Sequence, residues 1–240
     1  MKISRLSASR LQIFKECPYR YKLKYDDQIP PLKESPAAEF GKWIHKGLEL
    51  AVKDNRDVKD TLREYVNDFK FSTDYLDRVP TILENFHKRN RNLPAGKTEF
   101  EFEMDAGCGV PLVGVIDRLI VQENKCMVLD YKTGRFQKSR KSLQTDAQLL
   151  IYSYAAHQLT DIPYESIHLS LLYLLSGKVL SISYQWKDVE LFLRKAAEEV
   201  HTIQNMPPEK AKPQIHYGCS WCEYRDICEA NKKYKSIRNR

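Results

Sequence analysis

The chain has 240 residues, 42% of them apolar and 30% charged, a mix that excludes wholesale disorder and suits one generous domain or two small ones. Its longest apolar stretches, around Leu169–Leu175 and Val110–Val121, fall well short of the roughly 18 residues a membrane span needs, so no span is expected. The net charge of +7 is uneven: residues 1–25 carry seven Lys/Arg and one Glu, 132–145 five cations and no acid, and 229–240 five cations and one acid.

Such concentration is either a phosphate-binding footprint or solvated surface, and charge alone does not separate the two. The opening residues Met1-Lys2-Ile3-Ser4-Arg5 hold no apolar signal core, so a cytoplasmic setting is expected. Ser7 and Ser9 offer hydroxyls to cap a first helix carrying Leu11, Phe14, Tyr19, Tyr21 and Tyr25, which Pro18 interrupts just after Cys17. Pro30, Pro31 and Pro36 mark an irregular connection. From about Ala37 to Val52, Phe40, Ile44, Leu48 and Ala51 recur at helical spacing, and further helices are predicted over Val58–Phe71 and Asp74–Arg91. Gly96-Lys97-Thr98 looks like the end of a phosphate-binding loop. It lacks the glycine five positions earlier, where Arg91 stands, and the preceding strand, so no ATP site is expected.

After Pro94 the pattern turns to strands. Phe100 and Phe102 alternate with Glu99, Glu101 and Glu103; Leu112–Val121 and Met127–Tyr131 are two more strands, separated by Glu123-Asn124-Lys125. A helix is predicted over Leu143–Thr160, strands near Ile167–Leu175 and Lys178–Tyr184, and a last helix over Lys187–Gln204. The order predicts an α/β fold with a mixed sheet, the helices between Asp57 and Arg91 lying beside it as an insertion.

Alternation puts Asp130 and Lys132 on one strand face, and Asp117 lies in the preceding strand within Gly114-Val115-Ile116-Asp117-Arg118. Each aspartate sits in an apolar strand, where a carboxylate is costly without a cation or hydrogen bonds. Two carboxylates on adjacent strands beside a lysine suit a hard divalent metal. His45 lies on the earlier helix, and Gln148 and Tyr152, four residues apart, share one face of the later one. Among the cysteines, Cys108 and Cys126 lie in strand-like stretches as small buried hydrophobes. Cys17, with Cys219, Cys222 and Cys228 in a C-x2-C-x5-C run, is placed as a ligand set for either Zn2+ or a [4Fe–4S] cluster.

Taken in order, His45, Asp117, Asp130 with Lys132, and Gln148 with Tyr152 resemble the RecB-like branch of the PD-(D/E)XK nucleases. Gly-Val-Ile-Asp-Arg and Leu-Asp-Tyr-Lys-Thr-Gly are typical of that branch, and the likeness spans Ser7 to Cys228. The early cysteine followed by the late cluster is similar to the iron–sulfur nucleases of the AddB type and their CRISPR-associated relatives. The resemblance implies a restriction-endonuclease-like core over residues 37–56 and 98–204, a helical insertion over 57–97, and an iron–sulfur module formed by 1–36 and 205–240. It further implies that Asp117, Asp130, the Tyr131 carbonyl and His45 ligate Mg2+ or Mn2+, that Lys132 orients the attacking water, that Gln148 positions the lysine or the DNA, and that Tyr152 lines the substrate path. Cys17, Cys219, Cys222 and Cys228 would hold a structural [4Fe–4S] cluster, with His216 a bystander. The expected activity is exonucleolytic hydrolysis of single-stranded DNA or frayed ends, with partners in a DNA-processing complex serving CRISPR spacer acquisition or repair. A non-catalytic DNA-binding or partner-docking protein, or a zinc-stabilised nuclease, is the alternative.

Overall fold

The computed structural model describes residues 1–32 and 35–231, which divide into two compact units. One comprises Met1–Ser35, Glu103–Val113 and the chain from Leu191 onward; the other comprises Pro36–Phe102 and Gly114–Glu190. The cations of the basic segment 229–240 lie outside the described residues. No described helix is long and apolar enough to cross a membrane.

In the first unit, α1 (Ala8–Glu16) starts at Ser7, whose Oγ accepts a hydrogen bond from the Arg10 amide at 3.3 Å. It stops at Cys17, which is extended, because a residue before proline is pushed out of the helical region. Cys17 then caps α2 (Pro18–Tyr21), its Sγ accepting from the Arg20 amide at 3.4 Å. The later part of the chain shares this unit. Tyr224 is buried and donates to the Ile29 carbonyl at 2.8 Å, and Arg20 pairs with Glu223 at 2.8 Å.

The second unit opens with α3 (Pro36–Lys53), α4 (Val58–Tyr65) and α5 (Val79–Asn90). Both α4 and α5 are shorter than their spacing predicts. Residues Val66–Asp68 and Thr73–Arg78 wind into tighter 3-10 turns, and α5 begins where Pro80 occupies a first-turn position that needs no amide hydrogen. The apolar stripe of α3 (Phe40, Trp43, Ile44, Leu48) packs with Leu62 of α4 and with Ile82, Leu83 and Phe86 of α5. Each such burial removes about 1.5–3 kcal/mol of apolar exposure from water. The Trp43 indole also donates to the Leu62 carbonyl at 2.9 Å, pinning α4 to α3.

Five strands, β1 (Lys97–Met104), β2 (Leu112–Gln122), β3 (Lys125–Lys132), β4 (Ile167–Tyr173) and β5 (Lys178–Ile182), lie side by side in chain order. β2 and β3 are antiparallel, β3 and β4 parallel, β4 and β5 antiparallel, giving the mixed α/β sheet expected. A parallel neighbour requires a crossover, and α6 (Ala147–Thr160) supplies it. Every residue from Leu149 to Ala156 is buried, so this helix is enclosed by protein on all sides. It begins later than predicted: Leu143 belongs to a 3-10 turn, and Asp146 is the cap, accepting from the Gln148 and Leu149 amides at 3.1 and 3.2 Å. A final helix, α7, spans Trp186–Asn205.

Two sequence features resolve differently from their first appearance. Gly96 opens β1 at φ +69°, where an added Cβ would lie 2.5 Å from the Leu119 carbonyl oxygen, so close backbone approach accounts for the glycine. Cys126 is buried within β3, but Cys108 is buried in the turn between β1 and β2 rather than in a strand, flanked by Gly107 and Gly109 at positive φ.

Candidate active site

Strand register builds the site. The paired register of β2 and β3 ends at Arg118 and Leu129, and the residues just beyond it, Asp117 and Asp130, lie close enough for each carboxylate to feel the other. Asp117 is held by its backbone neighbour: Oδ2 accepts from the Tyr131 amide at 2.6 Å. Tyr131 itself points to the opposite face, where its ring joins the core with Phe40, Trp43 and Phe86. The tripeptide therefore anchors with its middle residue and turns its outer two to the opposite face.

Asp130 is 2% exposed, and Lys132 Nζ lies 2.5 Å from its Oδ2. This ion pair is the one close side-chain partner of that Oδ2 among the described residues. Burial raises the Asp130 pKa, which Lys132 opposes and Asp117 reinforces. Lys132 is half-buried and its Nζ also donates to Gln148 Oε1 at 3.0 Å. Gln148 in turn donates from Nε2 to the Tyr152 hydroxyl at 2.9 Å, and that buried hydroxyl donates to the Val115 carbonyl of β2. Helix α6 and strand β2 thus fix the amide that fixes the lysine.

His45 reaches the site from α3. One turn earlier, a Cβ at Gly41 would meet Thr133 Oγ1 at 3.2 Å, so glycine lets this helix lie close to the end of β3. His45 Nδ1 is 3.4 Å from Asp117 Oδ1 and 3.8 Å from Glu99 Oε1. Burial favours the neutral imidazole, but Asp117, Glu99 and Asp130 outweigh it and push the pKa up to about 10. Without a metal the imidazolium serves as the cation of this carboxylate group.

Glu99 is the participant that sequence reading missed. It looked like one of three glutamates on a solvated strand face. Its φ of +42° is left-handed, inside a strand, and turns its carboxylate off the alternation kept by the exposed Glu101 and Glu103. A non-glycine residue held there costs about 1–3 kcal/mol and is found most often at functional sites. Arg118 secures the approach to β1: fully buried, it donates to the Ala95 carbonyl at 2.8 Å, to the Pro94 carbonyl, and to Asn90 Oδ1 at 2.5 Å. No sequence signal distinguishes Glu99 from Glu101; the left-handed backbone does.

His45, Glu99 and Asp117 form, among the described residues, a group of metal-donor side chains whose ligand atoms all lie within 4.8 Å of one another. With Asp130 beside Asp117, two carboxylates share one neighbouring lysine, and the donors fit a divalent cation of mixed nitrogen and oxygen coordination. Glu99→Gln keeps the size but removes one charge. It is expected to weaken Mn2+ binding by at least about 10–100-fold, the range found when even outer partners of a metal site are lost. Calorimetric titration checks this, and an unchanged affinity would remove Glu99 from the ligand set.

The four candidate cluster cysteines are free and line one cavity in the first unit, with Leu23 and Tyr224 among its walls. Backbone amides of Arg20 and Gln214 point at Cys17 Sγ (3.4 and 3.5 Å), and that of His216 at Cys219 Sγ (3.4 Å). Burial raises the Cys222 and Cys228 thiols above their ordinary pKa. Gathered thiols with amides aimed at their sulfurs fit a metal or cluster that would draw off their protons. His216 is occupied otherwise: its Nδ1 accepts from the Gly218 amide at 3.2 Å as a turn cap.

The sequence profile of the PD-(D/E)XK nuclease superfamily matches residues 5–229. Among solved structures, that of a Eubacterium rectale protein designated a candidate exonuclease superposes with a TM-score of 0.58 at 9% identity, covering 96% of this chain and 88% of that one. The crystal structure of SSO0001 superposes with a TM-score of 0.47 at 18% identity, covering 96% and 89%. At 9% identity the first likeness is one of fold. No curated protein matches the chain.

Proposed function

The chain belongs to the PD-(D/E)XK nuclease superfamily, and from that premise we propose that it is a Mg2+- or Mn2+-dependent deoxyribonuclease, acting as an exonuclease on single-stranded DNA or frayed ends. The observation that carries this reading is the buried Asp130 carboxylate, 2.5 Å from Lys132 and close to Asp117 just past the end of the β2–β3 pairing. A carboxylate this deep is costly unless cations balance it, and one lysine here faces both Asp130 and Asp117, which leaves charge for a metal to offset.

Asp117, Asp130, Glu99 and His45 would hold the metal, with the Tyr131 carbonyl as a further ligand. When bound, the ion would lower the pKa of its water and offset charge on the scissile phosphate. Lys132, kept charged by Asp130 and steered by Gln148, would orient the attacking water and stabilise the charge that develops. Tyr152 would act through Gln148 as a positioning residue. In the first unit, Cys17, Cys219, Cys222 and Cys228 would hold a [4Fe–4S] cluster joining early and late segments of the chain. A role in CRISPR spacer acquisition or repair is the pathway this activity would serve.

Digestion of end-labelled single- and double-stranded DNA tests the reading. Products should appear with Mg2+ or Mn2+, shorten from an end, and vanish with EDTA. Binding without cleavage under every metal condition would favour the non-catalytic DNA-binding alternative. Protein purified without oxygen should absorb in the visible, and Cys222→Ala should lose that absorption together with much of its stability, while Cys126→Ala keeps it. Colourless protein that contains zinc would replace iron–sulfur with the zinc alternative.

A further inference from the structure

We propose that Phe136 is a base-stacking residue that seats an unpaired nucleotide of the substrate strand next to the active site. This rests on the nuclease reading for its substrate and deepens it. Phe136 is 96% exposed, the most exposed of the large apolar side chains described. Water-facing phenylalanine has no folding benefit, and here it does not belong to a frayed tip. Gln137 donates to Ser176 Oγ at 2.8 Å, the Lys138 amide donates to the Tyr173 hydroxyl at 2.9 Å, and Lys138 Nζ pairs with Asp146. The residues that follow Phe136 are therefore fixed to β4, to the turn beyond it and to the cap of α6, while the aromatic ring is left in solvent.

The anchoring points also locate the ring. Asp146, which holds Lys138, caps the same first turn of α6 from which Gln148 holds Lys132. Both ends of the 132–138 segment are thus tied to one helix start beside Asp130. Phe136 stands four residues from Lys132, so even a fully extended chain keeps it within about 14 Å, a few nucleotides of a bound strand. Its surroundings are cationic: Arg135, Arg140 and Lys141 are exposed, while Lys138 is paired with Asp146, and 132–145 contains no acid. An exposed aromatic among exposed cations is the combination that binds single strands, the ring taking a base and the cations the phosphates. A protein partner would want apolar neighbours beside the phenylalanine, and residues 134–142 are otherwise polar, glycine or charged. Because a base must leave the duplex to reach such a ring, the residue would favour unpaired or frayed ends.

The test uses the full chain and fluorescent oligonucleotides, with binding measured in Ca2+ and cleavage in Mn2+. Phe136→Ala should bind single-stranded DNA about 5- to 150-fold more weakly than the parent, the worth of one base–aromatic stack. Phe136→Trp should restore binding, with its fluorescence quenched by DNA. An oligonucleotide with one abasic position, walked along the strand, should lose affinity at a single position for the parent, and at that position lose nothing further for Phe136→Ala. Equal binding by parent and Phe136→Ala, or an abasic penalty that persists unchanged in Phe136→Ala, would overturn the proposal. So would a binding defect confined to a protein partner. If DNA is bound in a Phe136-dependent way yet never cleaved, the stacking role stands and the nuclease reading fails. If DNA is cleaved with no dependence on Phe136, the reverse holds.

Discussion

Asp130→Asn is expected to remove detectable DNA cleavage while leaving the fold intact. The substitution keeps the shape of the side chain and takes away the charge that would share a cation with the neighbouring Asp117. A single positioned electrostatic group is worth about 10²–10³ in rate, and a ligand whose loss also empties the metal site should cost more. The stability effect follows from the pair that Asp130 makes with Lys132. In the metal-free protein Asp130 is buried, its pKa is raised by desolvation, and Lys132 Nζ lies 2.5 Å from its Oδ2. A neutral amide there escapes the desolvation of a charge but leaves Lys132 without its partner. Losing one member of a buried pair costs more than it relieves, so the melting temperature without metal should fall below that of the parent. Adding Mn2+ should raise the parent's melting temperature and not the variant's, since only a ligand bound to the native state shifts unfolding. Cleavage by Asp130→Asn at the parental rate would show that the catalytic centre lies elsewhere.

The site was legible where its chemistry is written in local pattern. Alternation alone put Asp130 and Lys132 on one face, and the 2.5 Å contact between them follows from that spacing. The four-residue spacing of Gln148 and Tyr152 likewise yields the 2.9 Å hydrogen bond on one helix face. Glu99 was not legible, because its part depends on a left-handed backbone inside β1 that no propensity signals. Arg118 was read only as part of a motif, although its buried guanidinium fixes the segment that leads to Glu99. The fold shows the same division. The mixed sheet and its helices followed from periodicity, whereas the ends of α4, α5 and α6 shifted where 3-10 turns, Pro80 and the Asp146 cap outweighed apolar spacing. Cys108 was misplaced for a related reason: burial in a glycine-bounded turn has the same composition as burial in a strand.

Lys132→Met should separate catalysis from binding. The change keeps the length and apolar stem of the side chain and removes the charge beside Asp130, while Asp117, Glu99, His45 and the basic segments stay as they are. Cleavage should fall about 10²–10³-fold in kcat. DNA affinity should barely move, since one of 39 Lys and Arg residues contributes a small part of the phosphate attraction. Metal affinity supplies the sharper sign. Lys132 holds the Asp130 pKa down and competes with any ion for Oδ2, so its loss gives the carboxylate a stronger reason to take a cation. Above the raised Asp130 pKa, in alkaline buffer, Mn2+ should bind as tightly as in the parent or more tightly, although cleavage is nearly gone. At lower pH the sign reverses: without the lysine, Asp130 has a pKa raised further and protonates sooner, so Mn2+ binding should fail at a higher pH than in the parent. A variant that loses metal and activity together at every pH would make Lys132 a structural prop of the site. A variant that keeps both would mean that the attacking water is oriented by some other group.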